Sequence, residues 1–415
     1  MPFKRPKYND LTSVQKNIIA NATGTQMPKL AVVGGPGTGK TILALQIIMD
    51  AIKSSSNSLF IVYNRPLSNF LKNELDKENN PAMVMTFHRW IYTFLKDVAL
   101  PMNGEINVDI EKSLQTNKFV YDWNKVYRKI LTLDSLKGYY DYVFIDEAQD
   151  ICKDAWPIFN YIAKKLYVFY DENQKIGNEL EQYYYSDSEI VDIKRAINCE
   201  DSFYDLTENF RNTIEIESVA KLFDDNSEIN NITLKKITAK NHGKKPSILK
   251  IENADLVAKW ILKNYDPSLS YGILIPAFSK ANKFDSVLSQ YKEAFENNMN
   301  ERQKRMFQCY SSKTNNKYNI MDTGISLMSI IASKGLEFDV VYILSTNDID
   351  FDISKTINRH KLYVAITRAR KELYFVCDTS GVKNVVLGTL ETNKAIVDEK
   401  EIKESDVKST VDMLF

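Results

Sequence analysis

Four cysteines and three histidines are all that this chain of 415 residues carries. Cys152, Cys199, Cys309 and Cys377 lie far apart with no CxxC pair, and His88, His242 and His360 supply no ligand spacing. That excludes a zinc site and leaves four thiols expected to be reduced and mostly buried. An excess of either charge is missing too. Lys and Arg number 54, Asp and Glu 54, and the pI is about 6.9. Any nucleic-acid surface is then a local patch that the total hides. No run approaches the ~20 consecutive apolar residues of a membrane span. The basic stretch Met1 to Tyr8 lacks an apolar signal core, so no membrane partner and a cytoplasmic protein are expected. No repeat of short period is present. A hydrophobic fraction of 44% and a charged fraction of 26% fit a soluble globular chain, long enough for two domains.

What is present is organised around Gly34 to Thr41, which reads Gly-Gly-Pro-Gly-Thr-Gly-Lys-Thr and follows the apolar run Leu30 to Val33. It fits the phosphate-loop pattern GxxxxGK[ST]. The run before it predicts a buried parallel strand. Ile42, Leu45, Ile48 and Met49 fall at helical spacing after it. Gly35, Pro36, Gly37, Thr38 and Gly39 would wrap phosphate oxygens with backbone N–H groups at a helix N-terminus. Lys40 would reach the β and γ phosphates of ATP, and the Thr41 hydroxyl would ligate Mg2+.

Upstream, Leu11 to Gln15 predicts a capped helix start. The Gln15 amide can pair with the adenine edge; a surface glutamine is the alternative. Leu59 to Tyr63 predicts a second strand, and Met83 to His88 a third. Asn64, Arg65, Thr86 and His88 fall at their carboxyl ends, where α/β proteins bind ligands and where capping is the competing role. Tyr139 to Asp150 is an apolar strand that ends in adjacent carboxylates. Asp146 is placed to hold Mg2+, and Glu147, one residue farther out, to orient and deprotonate an attacking water. Lys165 to Tyr170 leads to Gln174, which could sense the γ-phosphate or hold the lytic water. Tyr183 to Tyr185, centred on Tyr184, read equally as a base-stacking platform or as core.

The pattern restarts near residue 205. Phe203 to Leu206 predicts a short strand, followed by a loop that carries Phe210 and Arg211. The alternation continues through a helix over 254–262, a strand over 271–276 and a helix over 285–295. Residues 297–319 read as loop. A strand at 325–331 leads to Lys334, Gly335, Leu336 and Glu337, and Val340 to Leu344 is another. A helix over 360–369 carries Thr367, Arg368 and Arg370, and Leu373 to Val376 closes the sheet.

Together these stretches resemble superfamily 1 helicases of the UvrD, Rep and PcrA type, from about Leu11 to Val376. The resemblance implies an α/β protein of two RecA-like parallel-sheet domains of the P-loop NTPase kind, with ATP and Mg2+ held where residues of both complete the site. We expect domains at 1–204, with a small insertion near 91–138, and at 205–393, then a charged tail over 394–415. By the resemblance, Gln15 reads adenine and Phe210 stacks on it. Glu337 meets the ribose. Asp146 and Thr41 hold the metal. Lys40, Glu147, Gln174, Arg211 and Arg368 serve catalysis. The partner it implies is single-stranded nucleic acid, DNA foremost, with 3'-to-5' wording in Asp146 to Asp150 and Val364 to Ala369. A protein partner such as a nuclease or another complex subunit is compatible.

The departures bear on the nucleic-acid track. Glu179 stands where the family has a base-stacking tryptophan, Ile331 where it has a DNA-contacting histidine, and Val62 where it has an aromatic. Tyr63, Asn64, Thr86, His88, Tyr184 and Lys334 are the replacement candidates. The family's large insertion between the stretches at Phe210 and at Lys334 is reduced here.

Overall fold

Leu30, Ala31 and Val32 are each completely shielded from solvent, as a strand flanked on both edges and covered on both faces must be. That strand, β1 (Lys29–Gly34), lies inside a six-stranded sheet with β2 (Ser58–Val62), β3 (Met83–Thr86), β4 (Tyr140–Ile145), β5 (Ala163–Tyr170) and β6 (Phe203–Leu206). The order is β3-β2-β4-β5-β1-β6 and every pairing is parallel. Ala31, Leu59, Ile61, Val143, Ile145 and Val168 pack to one side, against Trp90, Trp123, Ile130, Phe159 and Ile193 of the covering helices. The helix Lys40–Ala51 lies against β1 and β5 and takes the helix Ser13–Thr23 on its back. The structure is a computed structural model that describes residues 7–24, 27–51, 56–99, 123–176, 190–198, 202–223, 238–276, 281–310, 323–346, 356–379 and 384–407.

Phe203–Leu206 corrects the expected domain restart. It is the edge strand beside β1, with Ala31 opposite Phe203 and Gly34 opposite Leu206. The chain accordingly divides into compact units between Thr207 and Glu208. The expected loop at 207–211 is also a strand, β7 (Glu208–Thr213), paired in parallel with β8 (Thr238–Asn241).

The second unit carries a seven-stranded, all-parallel sheet of β9 (Ser247–Ile251), β10 (Ser270–Ile275), β11 (Phe307–Cys309), β12 (Gly324–Ser329), β13 (Phe338–Ile343), β14 (Ala369–Cys377) and β15 (Asp398–Ile402). Its order is β11-β12-β10-β13-β14-β9-β15. Leu249, Ile273, Leu327 and Val340 form a core with Val257, Ile261 and Phe295 from the helices Ala254–Lys263 and Ala281–Asn298. β14 therefore does not close the sheet, since β9 and β15 lie beyond it. The stretch from 394 is not a free tail as far as 407: β15 pairs with β9, and the short helix Glu404–Val407 packs on the helix Ala254–Lys263. Both units are α/β with the parallel-sheet architecture of RecA-like domains. Cys152 and Cys377 are buried free thiols and Cys309 is half-buried; Cys199 lies outside the described residues. No described helix is long and apolar enough to cross a membrane.

Candidate nucleotide site and its relatives

The first unit gathers its polar residues at the carboxyl ends of β1, β4 and β5. At Gly34 an added Cβ would sit 2.6 Å from Thr38 Oγ1 and 3.0 Å from Leu206 Cβ, so only glycine lets the chain enter the loop there. Gly37 and Gly39 hold left-handed φ values of 72° and 89°. Gly35, Pro36 and Thr38 are buried in the same turn, and Thr38 Oγ1 donates to the Gly35 carbonyl at 2.9 Å. The helix begins at Lys40, so its first N–H groups face the loop. Lys40 Nζ donates to the Gly34 and Gly35 carbonyls at 2.7 and 3.0 Å and lies 3.9 Å from Asp171 Oδ2.

Gln15 is not a surface residue. It is 6% exposed; its Oε1 accepts from the Thr12 N–H and its Nε2 donates to the Thr38 carbonyl at 3.3 Å. The helix cap and the loop are thus tied by one amide.

Asp146 ends β4 and Glu147 follows it. β4 is not next to β1, because β5 lies between them. Asp146 nevertheless meets Thr41, whose hydroxyl donates to Asp146 Oδ2 at 2.6 Å. Burial first, then the charge of Glu147, raise the Asp146 carboxyl above its ordinary range, opposed by the Thr41 hydroxyl and Lys40. Glu147 turns through a left-handed φ of 54°, a strained conformation for a non-glycine residue. A half-buried hydroxyl and a buried carboxylate at hydrogen-bond distance, the carboxylate costly to ionise alone, are hard oxygens that suit Mg2+. Among the described residues no cluster of three His, Cys, Asp or Glu could hold a metal by itself. That is the usual way with Mg2+, which takes one or two protein oxygens beside waters and substrate phosphates.

Two residues without an expected role complete this cluster. Gln149 Nε2 donates to Glu147 Oε2 at 2.6 Å, and its Oε1 accepts from the Asp171 N–H at 3.0 Å. Asp171, 2% exposed, accepts from Gln174 Nε2 at 2.6 Å and from the Asn173 N–H. Its carboxyl is raised chiefly by burial, against the pull of Lys40 and Gln174. Lys40, Thr41, Asp146, Glu147 and Gln174 are thus brought together with these two. The only sequence signal was that Gln149 and Asp171 also follow strand ends.

A separate cluster forms in the second unit. Arg211 Nε donates to Glu337 Oε2 at 2.6 Å, and Arg370 Nη1 stands 3.9 Å from Glu337 Oε1. Asn209 and Asn212, both buried and both unforeseen, set this geometry. Asn209 Oδ1 accepts from the Arg211 and Asn212 N–H groups, and Asn212 Nδ2 donates to the Thr367 and Ala369 carbonyls. Arg368 is 1% exposed and donates to the carbonyls of Val364 and Leu336 at 3.0 and 3.1 Å. It braces the turn around Glu337 from within. Phe210 points outward, 47% exposed, with Lys240 Nζ 5.6 Å from its ring centre.

The nucleic-acid candidates fare unevenly. Asn64 caps the helix Arg65–Lys77, accepting from the Leu67 N–H at 2.9 Å. Lys334 is wholly buried. Thr86 and Val62 are register partners, so half-buried Tyr63, Thr86 and His88 sit on neighbouring strand ends. Tyr184 and Glu179 lie outside the described residues.

Family comparisons match this division. Residues 15–178 match the AAA domain, and residues 277–380 match the UvrD-like helicase C-terminal domain. No curated protein matches. Among solved structures, the C-terminal domain of a possible DNA helicase from Lactobacillus plantarum WCFS1 is similar at 18% identity and a TM-score of 0.32, over 46% of this chain and 98% of that one. A match to the AAA domain is thus followed on one chain by a match to the UvrD-like helicase C-terminal domain, the arrangement expected of the UvrD-like superfamily 1 helicases that the motifs resemble.

Proposed function

We propose that the protein hydrolyses ATP to drive movement along single-stranded DNA in the 3'-to-5' sense. The observation that carries this reading is the buried first-unit cluster, where a phosphate-loop lysine and threonine share one set of contacts with Asp146, Asp171 and, through them, Glu147 and Gln174. In this reading the loop N–H groups and Lys40 hold the β and γ phosphates. Thr41 and Asp146 would hold Mg2+, which supplies charge neutralisation on the phosphates when bound. Glu147 accepts the proton of the attacking water, and Gln174 orients that water against the γ-phosphate. In the second unit Arg211 is the permanently charged, planar donor suited to a phosphate, exposed Phe210 the ring suited to adenine and Glu337 the carboxylate suited to the ribose, while Arg368, buried on the Val364 and Leu336 carbonyls, braces that cluster. Gln15, already bonded to the loop, places the base relative to the phosphates. Tyr63, Thr86 and His88 serve as strand contacts.

A second reading, an ATP-gated switch or motor subunit that does not unwind by itself and works with a protein partner, is favoured by one observation. Two of the nucleic-acid candidates, Asn64 and Lys334, are committed to a helix cap and to the interior. The deciding measurement is the ATPase rate with and without single-stranded DNA or RNA oligomers. Stimulation by DNA supports the motor; a rate indifferent to both polymers supports the switch.

A further inference from the structure

Gln149 is 1% exposed and makes two hydrogen bonds in opposite directions. Its partner on one side is a backbone N–H, which can only donate, so the amide oxygen must face Asp171 and the amide nitrogen must face Glu147. The carboxylate of Glu147 and the start of the segment Asp171–Gln174 are therefore joined by one side chain whose orientation is fixed. On the far side of that junction, the Asp171 carboxylate receives Gln174 Nε2 and faces Lys40. The ends of β4 and β5 and the phosphate loop form one continuous polar chain: Lys40, Asp171, Gln149, Glu147. Glu147 itself sits on a left-handed backbone, with φ of 54°.

We propose that Gln149 is a positioning residue that ties the aim of the water-activating carboxylate of Glu147 to the segment Asp171–Gln174. This rests on the reading of Glu147 as the base. A shift of Asp171 or Gln174 on the γ-phosphate side is passed through the Asp171 N–H and the Gln149 amide to Glu147. Base and phosphate-contacting glutamine become competent together rather than separately.

The test is a double-mutant cycle on the full chain, with turnover number, KM for ATP and melting temperature measured for each variant. Gln149→Ala should lower turnover by roughly tenfold or more with KM changed less than about threefold, because the loss falls on the chemical step. In the Glu147→Gln background the same substitution should lower the residual turnover by less than about twofold, since there is no longer a base to aim. Gln149→Glu keeps an acceptor for the Asp171 N–H but removes the donor to Glu147, so it should lose turnover at least as strongly. It carries the test if the alanine variant fails to fold. A fall of the same size with and without Glu147, or a loss that lies in KM, overturns the inference and makes Gln149 a structural residue. If Glu147→Gln alone leaves turnover unchanged, the reading of the active site fails instead, and the two failures are told apart by that single variant.

Discussion

At the scale of single residues, the chemistry of the first unit rests on side chains whose removal should separate binding from turnover. Glu147→Gln keeps the shape of the side chain but cannot take a proton, so turnover should fall by roughly 10²- to 10⁴-fold with nucleotide affinity nearly intact. Lys40→Ala removes a charged donor to the phosphates, worth about 1.5–3 kcal/mol, and should weaken nucleotide binding by roughly ten- to a hundredfold. Titration with a fluorescent nucleotide beside steady-state ATPase separates these outcomes. Arg368 is a different case. Its guanidinium bonds to buried carbonyls of Val364 and Leu336, so Arg368→Ala should cost about 2 kcal/mol or more of stability besides any loss of turnover. Urea unfolding that leaves stability untouched would contradict the bracing role. Lys40, Thr41, Asp146 and Glu147 were legible because each motif is local and its chemistry is written in adjacent letters. Gln149 and Asp171 were not, because their meeting across 22 residues depends on how β4 and β5 line up, which no short pattern encodes. Lys334 is a related case: a lysine after a strand end reads as solvated in the sequence, yet this one is wholly buried in the fold.

At the scale of elements, the phosphate loop depends on the strand beside it. Gly34 is hemmed in by Thr38 on the loop side and by Leu206 of β6. Gly34→Ala should therefore destabilise the first unit by about 1–3 kcal/mol and weaken nucleotide binding in the same variant, as read by thermal melting and nucleotide titration. A melt within about 1 °C of wild type would mean the crowding is relieved at little cost. The buried strands β1, β2, β4 and β10 were visible as apolar runs, since a parallel strand covered on both faces needs apolar side chains on both. The elements missed are those that break this rule. β9 alternates Ile248, Leu249 and Ile251 with half-buried Ser247 and Lys250, β11 is three half-buried residues, and β15 buries only Ile402. Edge strands and their neighbours carry a fraction of the signal of a central strand. Phe203–Leu206 was seen as a strand but given to the wrong unit, because strand pairing across 170 residues leaves no trace in either segment.

At the scale of the whole molecule, the stretch between Arg211 and Lys334 decides how much machinery the motor has. Its described strands and helices belong to the second unit: β8, β9, β10, β11 and β12 and the helices that pack on them. Opening duplex DNA costs on the order of 1.4 kcal/mol per base-pair step, and a motor with little room for a duplex-contacting arm should hydrolyse faster than it separates strands. The isolated protein is expected to show strand-stimulated ATPase activity with poor single-turnover unwinding of a duplex of about 18 base pairs bearing a 3' overhang, measured with a protein trap. Efficient unwinding under those conditions would sink the expectation. The second sheet also sets a limit on how the gene can be cut. Asp398, Glu399, Lys400 and Glu401 read as a dispensable acidic and basic tail, yet they run alongside Ser247 to Lys250 as the outermost strand and place Glu399 on Lys250. A fragment trimmed at residue 394 on the evidence of charge alone would lay bare the hydrogen-bonding edge of β9, whose Ile248, Leu249 and Ile251 have none of the charge that keeps β15 from recruiting a neighbour. Such a fragment should be recovered from expression as aggregate, and a cut placed after residue 407 as soluble protein.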